Sequence, residues 1–281
     1  MELLVDSLGY SALVAAIELF HWNPRRPLFR GSLGRRLPFR KPPIKNFGDL
    51  SGPIIAQEIV ARRGLTEPTV DRRLFSVGSV MHFTEPGDVV WGTGINGKVA
   101  EPVGSTHLDV RAVRGPLTRA TLIRLGISVP EIFGDPAILW SQFWPREHYV
   151  SDERGQTWDV SVVPNFHDLH SIKTHHNVIS PLGNPHEIVS RIARSSFVVA
   201  SSLHGIVLAE SFGIPARLIV PGTEPLFKYE DYYLGTGRAG FQPASSIEEA
   251  IRLGGEPPHS CDTSKLLASF PADLWGPPDH E

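Results

Sequence analysis

The chain has 281 residues, of which 41% are hydrophobic and 20% are charged, a composition typical of a globular protein with one large or two modest domains. Its formal net charge of −3 gives no reason to expect nucleic acid as the main partner. A single cysteine, Cys261, excludes an internal disulfide and a multi-cysteine metal site, which suits a reducing compartment.

The first 45 residues differ in composition from the rest of the chain. Residues 3–22 place apolar side chains near helical spacing and predict an amphipathic helix. The start of the chain carries acids where a signal peptide carries bases, and the apolar stretch 12–20 is far shorter than the roughly 20 residues that cross a bilayer. Residues 23–45 contain eight basic residues and no acid among prolines and glycines, and they predict an irregular segment. We therefore expect a cytoplasmic protein.

From residue 46 onward, strand and helix patterns alternate twice. The first series has helices at residues 50–63 and 116–125 and strands at 74–77, 89–91, 109–113 and 131–133. The second series has helices at residues 185–194, 203–212, 247–253 and 264–270 and strands at 160–163, 177–179, 197–200 and 217–220. Such alternation predicts an α/β fold with parallel sheets, organised as two Rossmann-like domains with a cleft between them. The predicted divisions are residues 1–45, a first domain at 46–150 and a second domain with C-terminal helices at 151–281.

Ligands of such folds bind where parallel strands end, so the loops after the predicted strands are the candidate site. Asp49 precedes the first helix, as its N-cap or as a group that faces the cleft. The glycine-rich loop at residues 91–97 follows a strand and would let backbone N–H groups approach an anion, although its spacing is not a dinucleotide fingerprint. Arg114 ends a strand directly before Gly115 and Pro116, where a guanidinium beside a helix N-terminus favours an anion.

The most informative segment is residues 200–205, where an apolar strand leads into two serines and a histidine. Ser201 and Ser202 can cap the following helix, and His204 in its first turn is placed to act as an acid or a base or to pair with a phosphate. Residues 224–233 mix aromatic, acidic and lysine side chains, a pattern typical either of a loop that contacts a sugar or a phosphate or of a solvated helix with aromatics packed beneath it. His167 and His170 lack the spacing of a metal site.

Six segments in this order resemble the polysaccharide pyruvyl transferase family, most closely the ketal-forming enzymes of xanthan-type exopolysaccharide synthesis. They are residues 46–49, 91–94, 114–116, 134–137, 201–205 and 228–233. The resemblance covers roughly residues 45–275 and implies a fold like that of the GT-B glycosyltransferases, with phosphoenolpyruvate bound in the interdomain cleft. Many members carry arginine where this chain has Ser202, so one cationic contact to the donor is absent here or comes from elsewhere.

The resemblance implies a role for each candidate residue. Phosphoenolpyruvate, a co-substrate, is expected to contact the following residues: Arg114, Lys228, Gly92, Thr93, Gly94, Ser201 and Ser202. His204 is the expected catalytic acid and Asp49 a candidate base. The saccharide acceptor is expected to contact the following residues: Asn46, Asn165, Tyr229 and Asp231. No metal and no further cofactor are expected, since cationic side chains supply the charge stabilisation.

Two further expectations concern partners and alternatives. Exopolysaccharide units are built on a lipid diphosphate at the cytoplasmic membrane, so residues 1–45 are expected either to contact that surface or to pack on the first domain. The main alternative activity is that of a GT-B-type glycosyltransferase that uses a nucleotide-sugar, and a non-enzymatic carbohydrate-binding protein is a weaker one.

Overall fold

The computed structural model describes residues 3–5, 11–13, 16–24, 43–150, 156–172 and 177–278. It contains two parallel β-sheets with helices between their strands, which confirms the predicted α/β class. Their strands follow one another in chain order in each sheet, as expected of consecutive crossover units.

The first parallel sheet has four strands, β3 to β6. They are β3 Ile17–Phe20, β4 Arg72–Phe75, β5 Val89–Trp91 and β6 Asp109–Ala112, and the bridge from Val113 to Phe133 continues the sheet. Helix α1 Phe47–Arg62 connects β3 to β4, and α2 Pro116–Arg124 follows β6. Every residue of β5 is buried, as expected of a central parallel strand covered on both faces.

The predicted N-terminal helix over residues 3–22 is wrong, because the residues that the structure describes in this segment form three short strands and no helix. Two short strands, β1 Leu3–Val5 and β2 Ser11–Leu13, pair antiparallel, and β3 pairs with β4 in parallel register. The ring of Phe20 stacks on that of Phe75 with centroids 4.3 Å apart. This pairing with a distant strand outweighs the local helical spacing. Most of the predicted basic segment, residues 25–42, lies outside the described residues.

The second sheet has three parallel strands, β7 Trp158–Val163, β8 Ser195–Ala200 and β9 Ala216–Leu218. Several of the helices that follow the first sheet and surround the second are short. They are α3 Trp140–Phe143, α4 Arg146–Val150, α5 Leu169–Ile172, α6 Pro185–Ala193, α7 Leu203–Ser211, α8 Phe227–Gly235, α9 Ile247–Leu253 and α10 Thr263–Ala268. Among the described helices, none combines the length and hydrophobicity needed to span a bilayer.

The two halves share one apolar core and are tied together by the end of the chain. The largest cluster of buried apolar side chains includes Trp91 from the first sheet and Ile206 from α7. The indole Nε1 of Trp91 donates a hydrogen bond of 2.9 Å to the carbonyl of Leu266, and Trp275 pairs with Pro68. The C-terminal segment therefore packs on the first half, whereas the predicted domain divisions at residues 45 and 150 stay predictions.

Candidate active site

A cleft of about 260 Å³ lies between the carboxyl ends of the two sheets. Its walls come from the start of α1, the loops after β4, β5, β7 and β8, and the segment around the start of α8. The lining residues are Trp22, Asn46, Asp49, Gly78, Ser79, Val80, His82, Asn96, Lys98, Asn165, Phe166, His167, Pro181, Ser202, Leu203, His204, Glu224 and Lys228. The predicted location of the site, at the ends of parallel strands, agrees with this cleft.

Asp49 stands in the first turn of α1 with its carboxylate at the cleft. The N-cap of this helix is Asn46, whose side-chain oxygen accepts from the N–H of Gly48 at 3.2 Å, so the predicted N-cap role of Asp49 is wrong. The surrounding protein removes water from the Asp49 carboxylate and raises its pKa to about 6, although the nearby His204 and Lys228 act in the opposite direction. A carboxylate with a pKa near neutrality is suited to accept a proton from a hydroxyl.

His204 lies in the first turn of α7 and also lines the cleft. Its Nε2 is buried and faces the Oδ2 atom of Asp135 at 3.5 Å, across the junction between the two halves. Gly48 packs against the imidazole, and a Cβ at that position would overlap the ring. The glycine in the motif 46–49 is therefore required by the close approach of α1 to His204.

The two serines before α7 have different surroundings. Ser202 is the N-cap of α7, accepts from the N–H of Gly205 at 3.3 Å, and lines the cleft. Ser201 is fully buried and its hydroxyl oxygen accepts from the N–H of Asn165 at 3.1 Å. Asn165 lines the cleft, but its side chain also closes its own turn by donating to Asp168 at 2.6 Å. Of the two serines predicted to contact the donor, the structure brings only Ser202 to the cleft.

Lys228, in α8, is held at the cleft by a carboxylate. Its ammonium donates to Glu224 at 2.9 Å, and the other oxygen of Glu224 accepts from Lys98, which belongs to the first half. Burial lowers the pKa of Lys228, and Glu224 opposes that shift. Burial would raise the pKa of Glu224, but Lys228 and Lys98 hold it below its usual value. Two ammonium groups from opposite halves thus meet at one side of the cleft.

Arg114 does not reach the cleft, contrary to the predicted contact with the donor. Its side chain is fully buried and pairs with Asp231, with Nη2 3.0 Å from Oδ2. Nε donates to the same carboxylate oxygen at 3.1 Å, Nη1 donates to Ser79 Oγ at 2.7 Å, and Nη2 also donates to the carbonyl of Ile95 at 2.7 Å. Since Ser79 lines the cleft, Arg114 stabilises the wall of the cleft through its hydrogen bond to Ser79.

Asp231 and Tyr229 are likewise buried and do not line the cleft, so the structure gives no support to their predicted contact with the acceptor. The Asp231 carboxylate accepts from the N–H groups of Leu117 and Thr118 at 2.9 Å each, and therefore caps α2 in addition to pairing with Arg114. The hydroxyl of Tyr229 donates to the carbonyl of Ser201 at 2.7 Å. Of the two patterns considered for residues 224–233, a helix with buried aromatics is the one observed.

The glycine-rich loop is also committed to the fold rather than to a ligand. The N–H of Gly92 donates to the carbonyl of Ala112 at 2.8 Å, and the N–H of Gly94 donates to that of Gly78 at 3.1 Å. Thr93 is buried and its hydroxyl donates to the same carbonyl at 2.9 Å. The N–H groups of Gly92 and Gly94 thus have partners within the fold, and the predicted cradle of N–H groups at residues 92–94 stays a prediction.

The sequence interpretation did not assign several residues that shape the cleft. Ser79 and His82 follow β4, Lys98 directly follows the glycine-rich loop, and Glu224 comes six residues after β9. Each follows a predicted parallel strand, which was the available signal. Within the part of the chain that the structure describes, no group of three or more His, Cys, Asp or Glu side chains is arranged to bind a metal.

Comparisons with known proteins point to one family. The sequence model of "Polysaccharide pyruvyl transferase" matches residues 89–222, which include β5 and run beyond β9. The chain is 27% identical over 207 residues to the succinoglycan biosynthesis protein ExoV of Rhizobium meliloti (strain 1021), an alignment that covers 68% of this chain and 63% of that protein. A crystal structure of a functionally uncharacterised protein from Klebsiella pneumoniae aligns over 72% of this chain and 90% of its own, with 13% identity and a TM-score of 0.47. The family match and the similarity to ExoV agree with the resemblance of the motifs to the polysaccharide pyruvyl transferase family.

Proposed function

We propose that the protein transfers a pyruvyl group from phosphoenolpyruvate to two hydroxyls of an exopolysaccharide saccharide and forms a cyclic ketal. The observation that carries this proposal is that a lysine, a histidine and a carboxylate with a raised pKa line one cleft: Lys228, His204 and Asp49. These groups supply a cation for an anionic donor, an acid and a base. The similarity to a protein of succinoglycan biosynthesis supports an exopolysaccharide acceptor.

In the proposed reaction, Lys228 and Lys98 bind the phosphate and carboxylate groups of phosphoenolpyruvate. His204 protonates the methylene carbon, and the central carbon becomes electrophilic. A sugar hydroxyl attacks that carbon while Asp49 accepts its proton. The bond to phosphate then breaks, and phosphate leaves. A neighbouring hydroxyl attacks the same carbon and passes its proton to the now neutral His204, which closes the ketal and restores the acid. General acid–base catalysis of this kind contributes roughly 10²–10⁴-fold in rate.

The arrangement of the cleft also supports the wider expectations for the family. A cleft between the carboxyl ends of two parallel sheets is compatible with a GT-B-like arrangement, which we retain as part of the proposal. A lipid-diphosphate-linked acceptor and a cytoplasmic reaction are retained in the same way. The proposed membrane contact does not rest on an amphipathic helix at residues 3–22, because the described residues 3–5, 11–13 and 17–20 form strands.

The activity is tested with ¹³C-labelled phosphoenolpyruvate and pyruvate-free exopolysaccharide oligosaccharides. We expect release of inorganic phosphate together with a ketal carbon signal in the NMR spectrum of the oligosaccharide. Parallel reactions with nucleotide-sugars test the glycosyltransferase alternative, which predicts nucleotide release. Nucleotide release without phosphate release would refute the proposed activity, and a protein that binds oligosaccharide without either reaction would favour the non-enzymatic alternative.

The donor site is tested by removing one ammonium group. We expect Lys228→Ala to raise the KM for phosphoenolpyruvate by roughly 10–100-fold, because a hydrogen bond to a charged group contributes about 1.5–3 kcal/mol. Lys265→Ala is the matched control, since that side chain is 72% exposed and lies outside the cleft. An unchanged KM in Lys228→Ala would remove this lysine from the donor site.

Surface binding by the basic segment at residues 23–45 is tested without deleting it. A chain that begins at Asn46 would lose β3 and therefore damage the first sheet. We instead compare the wild type with a variant in which Arg35 and Arg36 are glutamine, using co-sedimentation with anionic vesicles. Equal binding by both proteins would argue against a contact between this segment and anionic lipid, since each basic residue near such a surface contributes about 1 kcal/mol.

A further inference from the structure

Asp135 has a buried carboxylate that no step of the proposed reaction uses. It follows the bridge that continues the first sheet, and its side chain has no exposed surface. Its Oδ1 atom accepts from the N–H of Ala137 at 3.0 Å and caps the short 3₁₀ helix Pro136–Leu139. Its Oδ2 atom is buried, lacks a closer partner among the described residues, and faces His204 Nε2 at 3.5 Å.

Helix capping alone does not explain this arrangement. An N-cap needs one acceptor oxygen, which a serine or an asparagine also provides. The second oxygen is left in a buried position, where an acceptor without a donor costs free energy. The atom opposite it, His204 Nε2, is equally buried and also lacks another partner among the described residues. Each atom is therefore the partner that the other requires.

We propose that Asp135 is a positioning residue that keeps the proton of neutral His204 on Nε2 and leaves Nδ1 as the atom that exchanges a proton in the cleft. The ring nitrogen that carries the proton is set by the partner of the other nitrogen, and an ionised carboxylate accepts only from an N–H. The separation of 3.5 Å is at the outer limit of a hydrogen bond. Catalytic hydrogen bonds often shorten when the substrate binds.

This assignment defines the path of the proton in the proposed reaction. The catalytic part of the assignment rests on the proposed function. Nδ1 lies on the side of the ring that faces Gly48, where only a glycine allows this close approach of α1, and the ring itself lines the cleft. In the protonated ring, the Nδ1–H bond breaks as a C–H bond forms at the methylene carbon of phosphoenolpyruvate. The electron pair of the carbon–carbon double bond makes that new bond. Asp135 stays ionised, stabilises the imidazolium, and takes no proton itself.

The tautomer is tested directly by NMR of protein labelled with ¹⁵N-histidine, at an alkaline pH where histidine is neutral. The signals of His204 are identified by their loss in His204→Gln. We expect Nε2 to carry the proton in the wild type. In Asp135→Asn the oxygen still caps the 3₁₀ helix, but the new NH₂ group faces Nε2, so we expect the proton on Nδ1. A wild-type proton on Nδ1, or the same tautomer in both proteins, would overturn the proposal.

A second variant covers the case in which Asp135→Asn does not fold. Asp135→Ser keeps a capping oxygen but removes the group that faces His204, so we expect the ring to lose its fixed Nε2–H signal. Retention of that signal would equally overturn the proposal. Because these spectra need no substrate, they give an answer even if the proposed pyruvyl transfer fails.

Kinetics then connect the tautomer to catalysis. We expect Asp135→Asn to lower kcat by roughly 10²–10⁴-fold with little change in the KM for phosphoenolpyruvate, since general acid–base catalysis contributes that much. Asp262→Asn is the matched control, because Asp262 also caps a short helix, α10, but its side chain is 49% exposed and lies outside the cleft. A kcat of Asp135→Asn equal to that of the control would exclude a positioning role.

Discussion

The buried pair of Arg114 and Asp231 allows a sharp test of structural support against substrate binding. Both side chains are fully buried, and Asp231 holds the guanidinium and two N–H groups at the start of α2. Replacing Asp231 with leucine leaves a buried cation without its countercharge and two helix donors without acceptors. We expect a loss of about 3–5 kcal/mol in the free energy of unfolding, typical of a broken buried ion pair.

The reverse substitution is expected to cost less. In Arg114→Met, the Asp231 carboxylate keeps the N–H groups of Leu117 and Thr118 and the hydroxyl of Thr118 at 2.6 Å, so we expect a loss of about 2 kcal/mol. Urea unfolding followed by tryptophan fluorescence measures both variants. The double variant should lose less than the sum of the two, because the residues are in contact.

The same variants test the prediction from the sequence that Arg114 contacts phosphoenolpyruvate. A guanidinium that supports the cleft wall through Ser79 should affect stability more than donor affinity. If Arg114→Met unfolds at the same urea concentration as the wild type while the KM for phosphoenolpyruvate rises tenfold or more, the guanidinium contacts the donor and our structural assignment is wrong.

Three further predictions use single substitutions or reagents. The pKa of Asp49 is raised to about 6, so the folded protein retains a proton that the unfolded chain releases near pH 4. The free energy of unfolding should therefore fall as the pH rises from about 4 to about 6, and kcat should rise through pH 6 as the base ionises. Asp49→Asn should remove both effects, measured by thermal unfolding and by the pH profile of kcat. Gly48→Ala should displace the imidazole of His204 and nearly abolish turnover, whereas Gly240→Ala, where a Cβ meets open space, should be active. Burial raises the pKa of the Cys261 thiol to about 11, so Ellman's reagent should modify it slowly until the protein unfolds.

The sequence predicted most helices and strands because their periodicity and caps are local. Residues 89–91 and 247–253 were predicted with the bounds that the structure shows, and most other elements differ by a few residues at their ends. The predicted strands 131–133 and 177–179 are single bridges, at Phe133 and Val178. The N-terminal helix failed because Ile17–Phe20 is stabilised by pairing with Arg72–Phe75, a contact that local spacing does not encode. Residues that stand near the amino end of a chain and pair far along it are poorly predicted by amphipathic spacing.

The candidate site could be predicted only in part, for a related reason. Loops after parallel strands indicated Asp49, His204 and Lys228, and all three line the cleft. The same rule could not separate side chains that face the cleft from those that hold it together. Arg114 and its partner Asp231 are 117 residues apart, and no local pattern shows that one satisfies the other.

The contacts that join the two halves are also the contacts that build the cleft. Glu224 of the second half binds Lys98 of the first, Asp135 of the first half faces His204 of the second, and Asp231 of the second caps a helix of the first. Two of these three contacts involve a side chain assigned to the chemistry or its positioning. A change in the relative position of the halves would therefore alter both the distance between the ammonium groups of Lys98 and Lys228 and the contact between His204 and Asp135. For this reason we expect stability at the junction and catalytic competence to be linked, with Asp231→Leu impairing both.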